Sequence, residues 1–422
     1  MAADNIEGTL SALVKEMYPK EQIGSTLLEG SSLYSEIPKD WKGHGRHVRV
    51  PVKYAATSGT GNDFAETQNA HDEAQRDVFQ VTWYDDYAIF RITDKTIKLC
   101  RGAMHGVVEA LTEVADDAMD AIKRRMHWAM WRDGGGSMGQ IAAGSGSTTI
   151  TLANIEDIVH FSVNQQLESH NTNGIGATAG DGEYHTITAI NEDDGTISKA
   201  AGSNWNANGN FAANDHLFAR GTIGQCVRGI RAWLPANAPV LGVDSFYGVD
   251  RGRHPTALAG VRFNATGAHG TIQNYLIKFA SRLARNKARP THVYLNPVDF
   301  GQLVSELGDQ VKYDKAVPKN SKGMPVQGHI GFQHIVMSVG SGMIKVFSEA
   351  DVPYGLCYML DMPCWKLRAP EEPSVLNADG LYMARMGNGA DYEGRMGCYW
   401  QIACKAPGKN GVGTLTAIQQ PA

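Results

Sequence analysis

Residues 47–92 read HVRVPVKYAATSGTGNDFAETQNAHDEAQRDVFQVTWYDDYAIFRI. Val48, Val50, Val52 and Tyr54 alternate with Arg49, Pro51 and Lys53, the period of two that marks a half-buried strand. A second alternation runs through Phe79, Val81, Trp83, Tyr87 and Ile89, broken by Asp85 and Asp86. Between the two, Ala55 to Asp77 hold one large apolar side chain, Phe64, among Gly59, Gly61, Asn62, Asp63, Glu66 and Asp72. The pattern predicts a long two-stranded ribbon with a polar tip. Isolated hairpins are marginal in water, and a tip this poor in apolar side chains has little to bury in a core of its own. It must lie against another part of the chain or against another subunit. Gly59, Asp63, Phe64, Glu66 and Asp72 are the candidate contacts of such a clasp.

Upstream, residues 1–45 mix a short amphipathic stretch around Leu10, Leu13, Val14 and Met17 with polar, glycine-marked chain, which suggests an arm. Downstream, Val107, Leu111, Val114, Ala118, Ile122 and Met126 recur by fours and threes and predict a helix from Met104 to Arg132. Its acidic residues precede its basic ones, which suits the helix dipole, and Gly134-Gly135-Gly136 ends it. At about 1.5 Å per residue it would reach roughly 43 Å, the length of a structural beam.

Beyond a Gly/Ser linker, strand-like stretches at 148–152, 161–167, 184–190, 196–198 and 216–219 are separated by Gly/Asn-rich turns, with EDDG at 192–195 as a hairpin signal. They suggest a small inserted β-barrel or sandwich. From Trp233 onward, a helix at 271–286, a strand at 292–295 and a helix at 297–307 indicate an α/β layer. The segments 344–347, 355–360, 365–367, 381–385 and 398–404 suggest antiparallel sheet, and the tail APGKNGVG at 406–413 suggests loop.

The composition fits a folded protein. Hydrophobic residues make up 42% and charged residues 20% of the 422, excluding a disordered chain or a coiled-coil rod. The 47 glycines follow no triplet period, which excludes collagen and implies many turns. Net charge is −5, against an obligate histone-like nucleic-acid binder. That sum hides a partition. From Gly134 to Gly224, Glu156, Asp157, Glu168, Asp181, Glu183, Glu192, Asp193, Asp194 and Asp215 face only Lys199 and Arg220, a balance of −7. From Arg251 to Val298 there are eight basic residues and no acidic one, with Lys278, Arg282, Arg285 and Lys287 as the candidate basic surface. No apolar run is long enough for a membrane span and the start lacks a signal-peptide pattern, so a cytoplasmic product is expected. The six scattered cysteines form no CxxC and suit free, mostly buried thiols.

Chemistry-bearing patterns are weak. GxxxxGK[ST], HExxH and DxDxDG are missing, and GGGSMG at 134–139, which matches GxGxxG and GxSxG by letter, is the glycine run that ends the predicted helix. His71-Asp72-Glu73 suits a solvated turn better than a metal or general base, and the Cys357/Cys364 and Cys398/Cys404 spacings exceed those of a zinc knuckle. GVDRGRHP at 248–255 gathers charges without a preceding Gly-rich phosphate loop, which favours a structured turn. No catalytic, cofactor-binding or metal residues are therefore assigned.

Taken in order, several strings resemble the major capsid proteins of tailed double-stranded-DNA bacteriophages, the Hong Kong 97-like fold. They are HVRVPVKYAATSGTG at 47–61, GVVEALTEVADDAMDAIKRR at 106–125, RAWLPANAPVLGVDSFYGVDRGRHPTALAGVRF at 231–263, PTHVYLNPVDFGQLVSELG at 290–308, YDKA at 313–316 and GMIKVFSEADVPYGLCYMLDMPCWKL at 342–367. The resemblance implies an α+β chain with an N-terminal arm (1–45), an extended β-ribbon loop (46–92) reaching over neighbouring subunits, and a peripheral domain (93–146) with a spine helix at 104–132. It further implies an inserted β-rich domain (147–222), an axial α/β domain (235–345) and a return to the peripheral domain with the C-terminal tail (346–422). The implied function is a non-enzymatic icosahedral shell subunit of the virion, assembled in the host cytoplasm as hexamers and pentamers around packaged DNA. Implied partners are a portal protein, a separate scaffolding protein, since only about 45 residues precede the ribbon, and an outer decoration protein. The best-known member of the family joins a lysine of this loop to an asparagine of a neighbour's peripheral domain, but Tyr54 to Arg91 contain no lysine, so no such cross-link is expected. The competing readings are an encapsulin-like cellular compartment, an uncharacterised enzyme, and a surface-binding β-protein.

Overall fold

The long helix and a 13-residue strand late in the chain organise the molecule. In the computed structural model the residues described are 31–95, 104–177, 180, 182–202, 204–264, 270–307, 335–339, 342–376, 383–386, 389 and 391–415, with backbone alone for 104–113 and 338–339. The stretch around Leu10 to Met17 and the YDKA string lie outside them.

The helix runs Met104–Trp131, and its second half buries Ala118, Ile122, Met126, Ala129, Met130 and Trp131. It packs on a six-stranded sheet built around Tyr392–Cys404. That strand pairs antiparallel with Tyr84–Ile92 on one side and with Trp365–Arg368 on the other. Lys39–Asp40 add parallel to the outer edge of Trp365–Arg368. Part of the expected arm is therefore docked: Leu33 and Ile37 are buried, and Glu349 accepts from the backbone N–H and hydroxyl of Ser32 (2.8 and 2.5 Å).

The α/β layer is a six-stranded mixed sheet in the order Val261–Asn264, Gly411–Thr414, Leu356–Leu360, His292–Leu295, Gly342–Ser348, Ile335–Val339. Ile272–Arg285 and Pro297–Leu307 cover one face through Leu276, Phe279, Leu283, Phe300 and Leu303. On the other face Trp131, from the long helix, meets Tyr294 and Tyr358 at ring-centroid distances of 5.1 and 5.6 Å. His292–Leu295 is consequently buried on both faces, as central strands of covered sheets are.

Two expectations need correcting here. The sheet is not purely antiparallel, because His292–Leu295 runs parallel to Gly342–Ser348 and Val261–Asn264 parallel to Gly411–Thr414. The tail expected as loop thus ends in a strand. Its residues Gly411–Thr414 carry little side-chain signal because Gly411 and Gly413 lie under Phe279 and beside Tyr275 and Cys357, where any Cβ would collide. These pairings also bring the stretch beyond 346 into the sheet of 292–295, so a boundary at 345 cuts through a strand.

Gly139–Ala143, Thr149–Leu152, Gln166–His170, His185–Asn191, Thr196–Lys199 and His216–Ala219 close into a six-stranded barrel. Ile141, Ile150, Leu167, Ile187, Ile197, Trp205, Phe211 and Leu217 fill it, and the Trp205 indole N–H donates to the carbonyl of Thr148 (2.9 Å). It begins earlier than the Gly/Ser linker suggests, since 139–143 pairs with both 149–152 and 216–217. The expected strand at 161–167 starts instead at Gln166, after the two-turn 3-10 helix Ile155–His160. Entry and exit lie side by side: Gly224 N–H donates to the Gly135 carbonyl (2.8 Å). Gly135 is required there, because a Cβ would sit 2.0 Å from the Asn173 carbonyl oxygen.

Candidate assembly surfaces

His47–Lys53 pairs antiparallel with Arg76–Thr82, burying Val48, Val50, Val52, Phe79 and Val81 at the base. The ribbon is anchored where the Gln80 N–H donates to the carbonyl of Tyr247 (3.0 Å) and Phe79 packs edge-on to Trp233 (5.0 Å). From Lys53 to Val78 no residue is buried.

The tip nevertheless has a built conformation that brings all five expected clasp residues together. Asp63 caps the six-residue helix Phe64–Asn69, its carboxylate accepting from the N–H groups of Ala65 (2.8 Å) and Glu66 (3.3 Å). The Glu66 carbonyl accepts from Ala70 N–H at the helix end, and Ser58 N–H donates to the Asp72 carbonyl, closing the loop. Gly59 has φ +82° with His71 Cα 2.7 Å from where a Cβ would stand, a position only glycine fills without strain. Phe64 is 82% exposed. It is the one large apolar side chain from Ala55 to Asp77 and stands largely in solvent.

The second alternation behaves differently from its reading as the ribbon's other arm. The ribbon pairing stops at Thr82, and Tyr84–Ile92 leaves to join the sheet of Tyr392–Cys404. Its phase also flips, with Tyr87 and Ile89 53% and 57% exposed while Asp86, Phe90 and Ile92 are buried. Asp86 turns inward because two donors await it. The Trp400 indole N–H reaches one carboxylate oxygen at 2.6 Å, and the Arg125 guanidinium of the long helix pairs with the other.

A second exposed apolar feature escaped the sequence reading. Val240, Leu241 and Val243 are 57%, 66% and 75% exposed on a turn braced by carboxylates. Asp244 accepts from Val240 N–H (2.6 Å) and Asp250 from Gly242 N–H (3.1 Å). The signal was the apolar run VLGV between Pro239 and Asp244.

Of the basic candidates, Lys278, Arg282 and Arg285 stand at i, i+4 and i+7 on the outer face of Ile272–Arg285, and Lys287 follows its end; all four are exposed. Arg251, counted in the same stretch, is instead buried, donating to the Ala232 carbonyl (2.7 Å) and lying over Phe246 (4.2 Å). Arg282 and Arg285 join Arg262, Thr256, Val261 and Asn286 around a cavity of about 450 Å³. Arg262, Thr256 and Asn286 were not singled out from sequence, because they come together only through the packing of three separate elements.

His71, Asp72 and Glu73 are exposed at the tip, and among the described residues no group of His, Cys, Asp or Glu is placed to hold a metal. Cys226, Cys357, Cys398 and Cys404 are free and buried, and burial pushes the Cys226 thiol up to about 11. No described helix is long and apolar enough to cross a membrane.

The architecture is similar to that of chains in solved structures. No protein-family model matches the chain, and no curated protein matches it in sequence. Among solved structures, it superposes on a chain of the capsid asymmetric unit of cyanophage A-1(L) with a TM-score of 0.52 and 10% identity, covering 94% of this chain and 98% of that one. A chain from Mycobacterium phage Bobi follows at 0.43 and 10% identity, with 97% of each chain covered, and the holo-encapsulin complex of Synechococcus elongatus at 0.42 and 7%, covering 98% and 97%. At that identity the cyanophage superposition defines the fold. This chain has a capsid-protein fold.

Proposed function

We propose that the protein is a major capsid protein, building the icosahedral head of a tailed double-stranded-DNA phage. In this reading the ribbon is the extended loop that clasps a neighbour, the long helix is the spine of the peripheral domain, the mixed sheet forms the axial domain and the barrel is an insertion. The subunit works as hexamers and pentamers in the virion, with a scaffolding protein, a portal protein and packaged DNA as partners. Its role is structural rather than catalytic.

The ribbon is the observation that carries the proposal. A fold alone does not fix a function, but an ordered tip with no buried residue and a bare Phe64 makes physical sense when another subunit covers it. Closed symmetric assemblies give every such clasp a seat. The test is sedimentation and negative-stain microscopy of the protein expressed with its scaffold. Shells are expected, and their nucleic-acid content separates a virus head from a cellular compartment. Phe64→Ser should leave the subunit's melting temperature nearly unchanged, since exposed substitutions shift stability by only about 0.5 kcal/mol, yet reduce shell yield severalfold. Monomers or dimers from the unaltered protein would defeat the proposal.

A further inference from the structure

We infer that the cavity between Arg262, Arg282 and Arg285 is a binding site for phosphate groups. Arg262 projects from the strand Val261–Asn264, whereas Arg282 and Arg285 occupy the last turn of Ile272–Arg285, and Thr256 and Asn286 complete the rim. The helix C-terminus accounts for cations at 282 and 285 through its dipole. It does not account for Arg262, on another element and half-buried, whose side chain donates to the Ala259 carbonyl at 3.3 Å.

Among the described residues none of the three arginines makes a salt bridge, and the sequence from Arg251 to Val298 contains no carboxylate. Burial lowers the Arg262 pKa from its ordinary value, with no neighbouring acid to offset it. Three guanidiniums therefore line one cavity with no carboxylate paired to them among the described residues, a concentration of positive charge that an entering anion would offset.

The donor set favours phosphate over carboxylate. Each guanidinium presents a planar fork that matches phosphate oxygens two at a time, and three forks offer more N–H groups than one carboxylate can accept. A cavity of about 450 Å³ exceeds a single orthophosphate and suits a diphosphate or one nucleotide unit. Two sources share that chemistry: a soluble phosphate compound and the backbone of a nucleic-acid strand. The site lies within one subunit, so binding can be measured whether or not shells form.

The experiment uses the full-length protein and calorimetric titration with pyrophosphate, at fixed ionic strength maintained with chloride. Saturable one-site binding is expected, weakened at least tenfold by Arg262→Gln and by Arg285→Gln. The second change lies on an exposed helix end and keeps the test valid if the first fails to fold. Competition by a short oligothymidylate would identify a nucleic-acid backbone as the source, and pyrophosphate binding without such competition would identify a soluble phosphate. Undetectable binding, binding unchanged in both variants, or citrate binding as tightly as pyrophosphate would each overturn the assignment.

Discussion

Asp86 shows how a single side chain can invert the reading of a strand. Alternation assigned Tyr87 and Ile89 to the buried face, but the carboxylate of Asp86 is 5% exposed between Arg125 and Trp400, so the strand rotates to bring it in. It ties the sheet to the long helix. Asp86→Ala would leave the Arg125 guanidinium, which also touches the Cys226 sulfur (3.7 Å), without its counter-ion. Breaking such a pair costs about 3 kcal/mol, and the loss should appear as a lower urea midpoint at unchanged m-value. A second carboxylate should act in the opposite sense. Asp351 lies 3.7 Å from His160 of the barrel segment. Burial, and then repulsion from Glu349, push its pKa up to about 7, against the pull of Arg132 and Arg124. The native state thus holds this proton more tightly than the unfolded chain. The resulting stability is complete below about pH 4, the unfolded range for aspartate, and is lost as pH rises through about 7. Asp351→Asn should match the parent at pH 4 and exceed it by about 2–4 kcal/mol at pH 8. Equal stabilities of the two proteins at pH 8 in urea titrations would contradict this.

Elements whose side chains report their own burial were legible in the sequence. Ile272–Arg285, His292–Leu295, Pro297–Leu307 and His216–Ala219 fall where periodicity puts them. Elements defined by distant pairing were not: Gly411–Thr414 is a strand only because Val261–Asn264 and Leu356–Leu360 flank it, and its sequence, GVGT, carries no alternation. The candidate surfaces divide in the same way. The tip's contacts are local, so its residues could be named as a group, although the Asp63 cap and its short helix were not foreseen; the arginine pocket joins residues from three elements, so only its net charge was legible. The barrel supports a prediction at this scale. Its two ends meet at the Gly135–Gly224 hydrogen bond, and Ile141, Ile150, Leu167, Ile187, Ile197 and Leu217 are buried on its strands. Its excess negative charge is harmless in water and costly in a buried interface without basic partners. A fragment of residues 134–225 should be soluble, β-rich by circular dichroism and cooperative in melting. It would be less stable than the intact chain, because Asp157 and His160 lose Arg132 and Asp351. A fragment without a melting transition would show that the barrel depends on the long helix to fold.

For the whole molecule, the proposed shell requires something to hold neighbouring copies together. A covalent clasp from the ribbon needs an amine at its reach, because an amide bond between side chains forms by attack of a neutral lysine on an asparagine amide in a dry pocket. From Tyr54 to Arg91 there is no lysine. Lys53 ends the strand at the base of the tip and Lys95 follows the strand that has already returned to the sheet, so neither stands at the far end. Strength must come from buried area instead. Phe64 on the tip, Tyr87 and Ile89 on the returning strand, and Val240, Leu241 and Val243 on the braced turn offer separate apolar contacts. Interfaces above about 1,600 Å², repeated around each subunit, hold without covalent bonds. Particles boiled in denaturant and reductant should therefore run as one band near the chain mass of 45.7 kDa. A ladder of multiples would refute the non-covalent clasp and direct attention to Lys53 and Lys95, whose separate replacement by arginine would show which one supplies the amine.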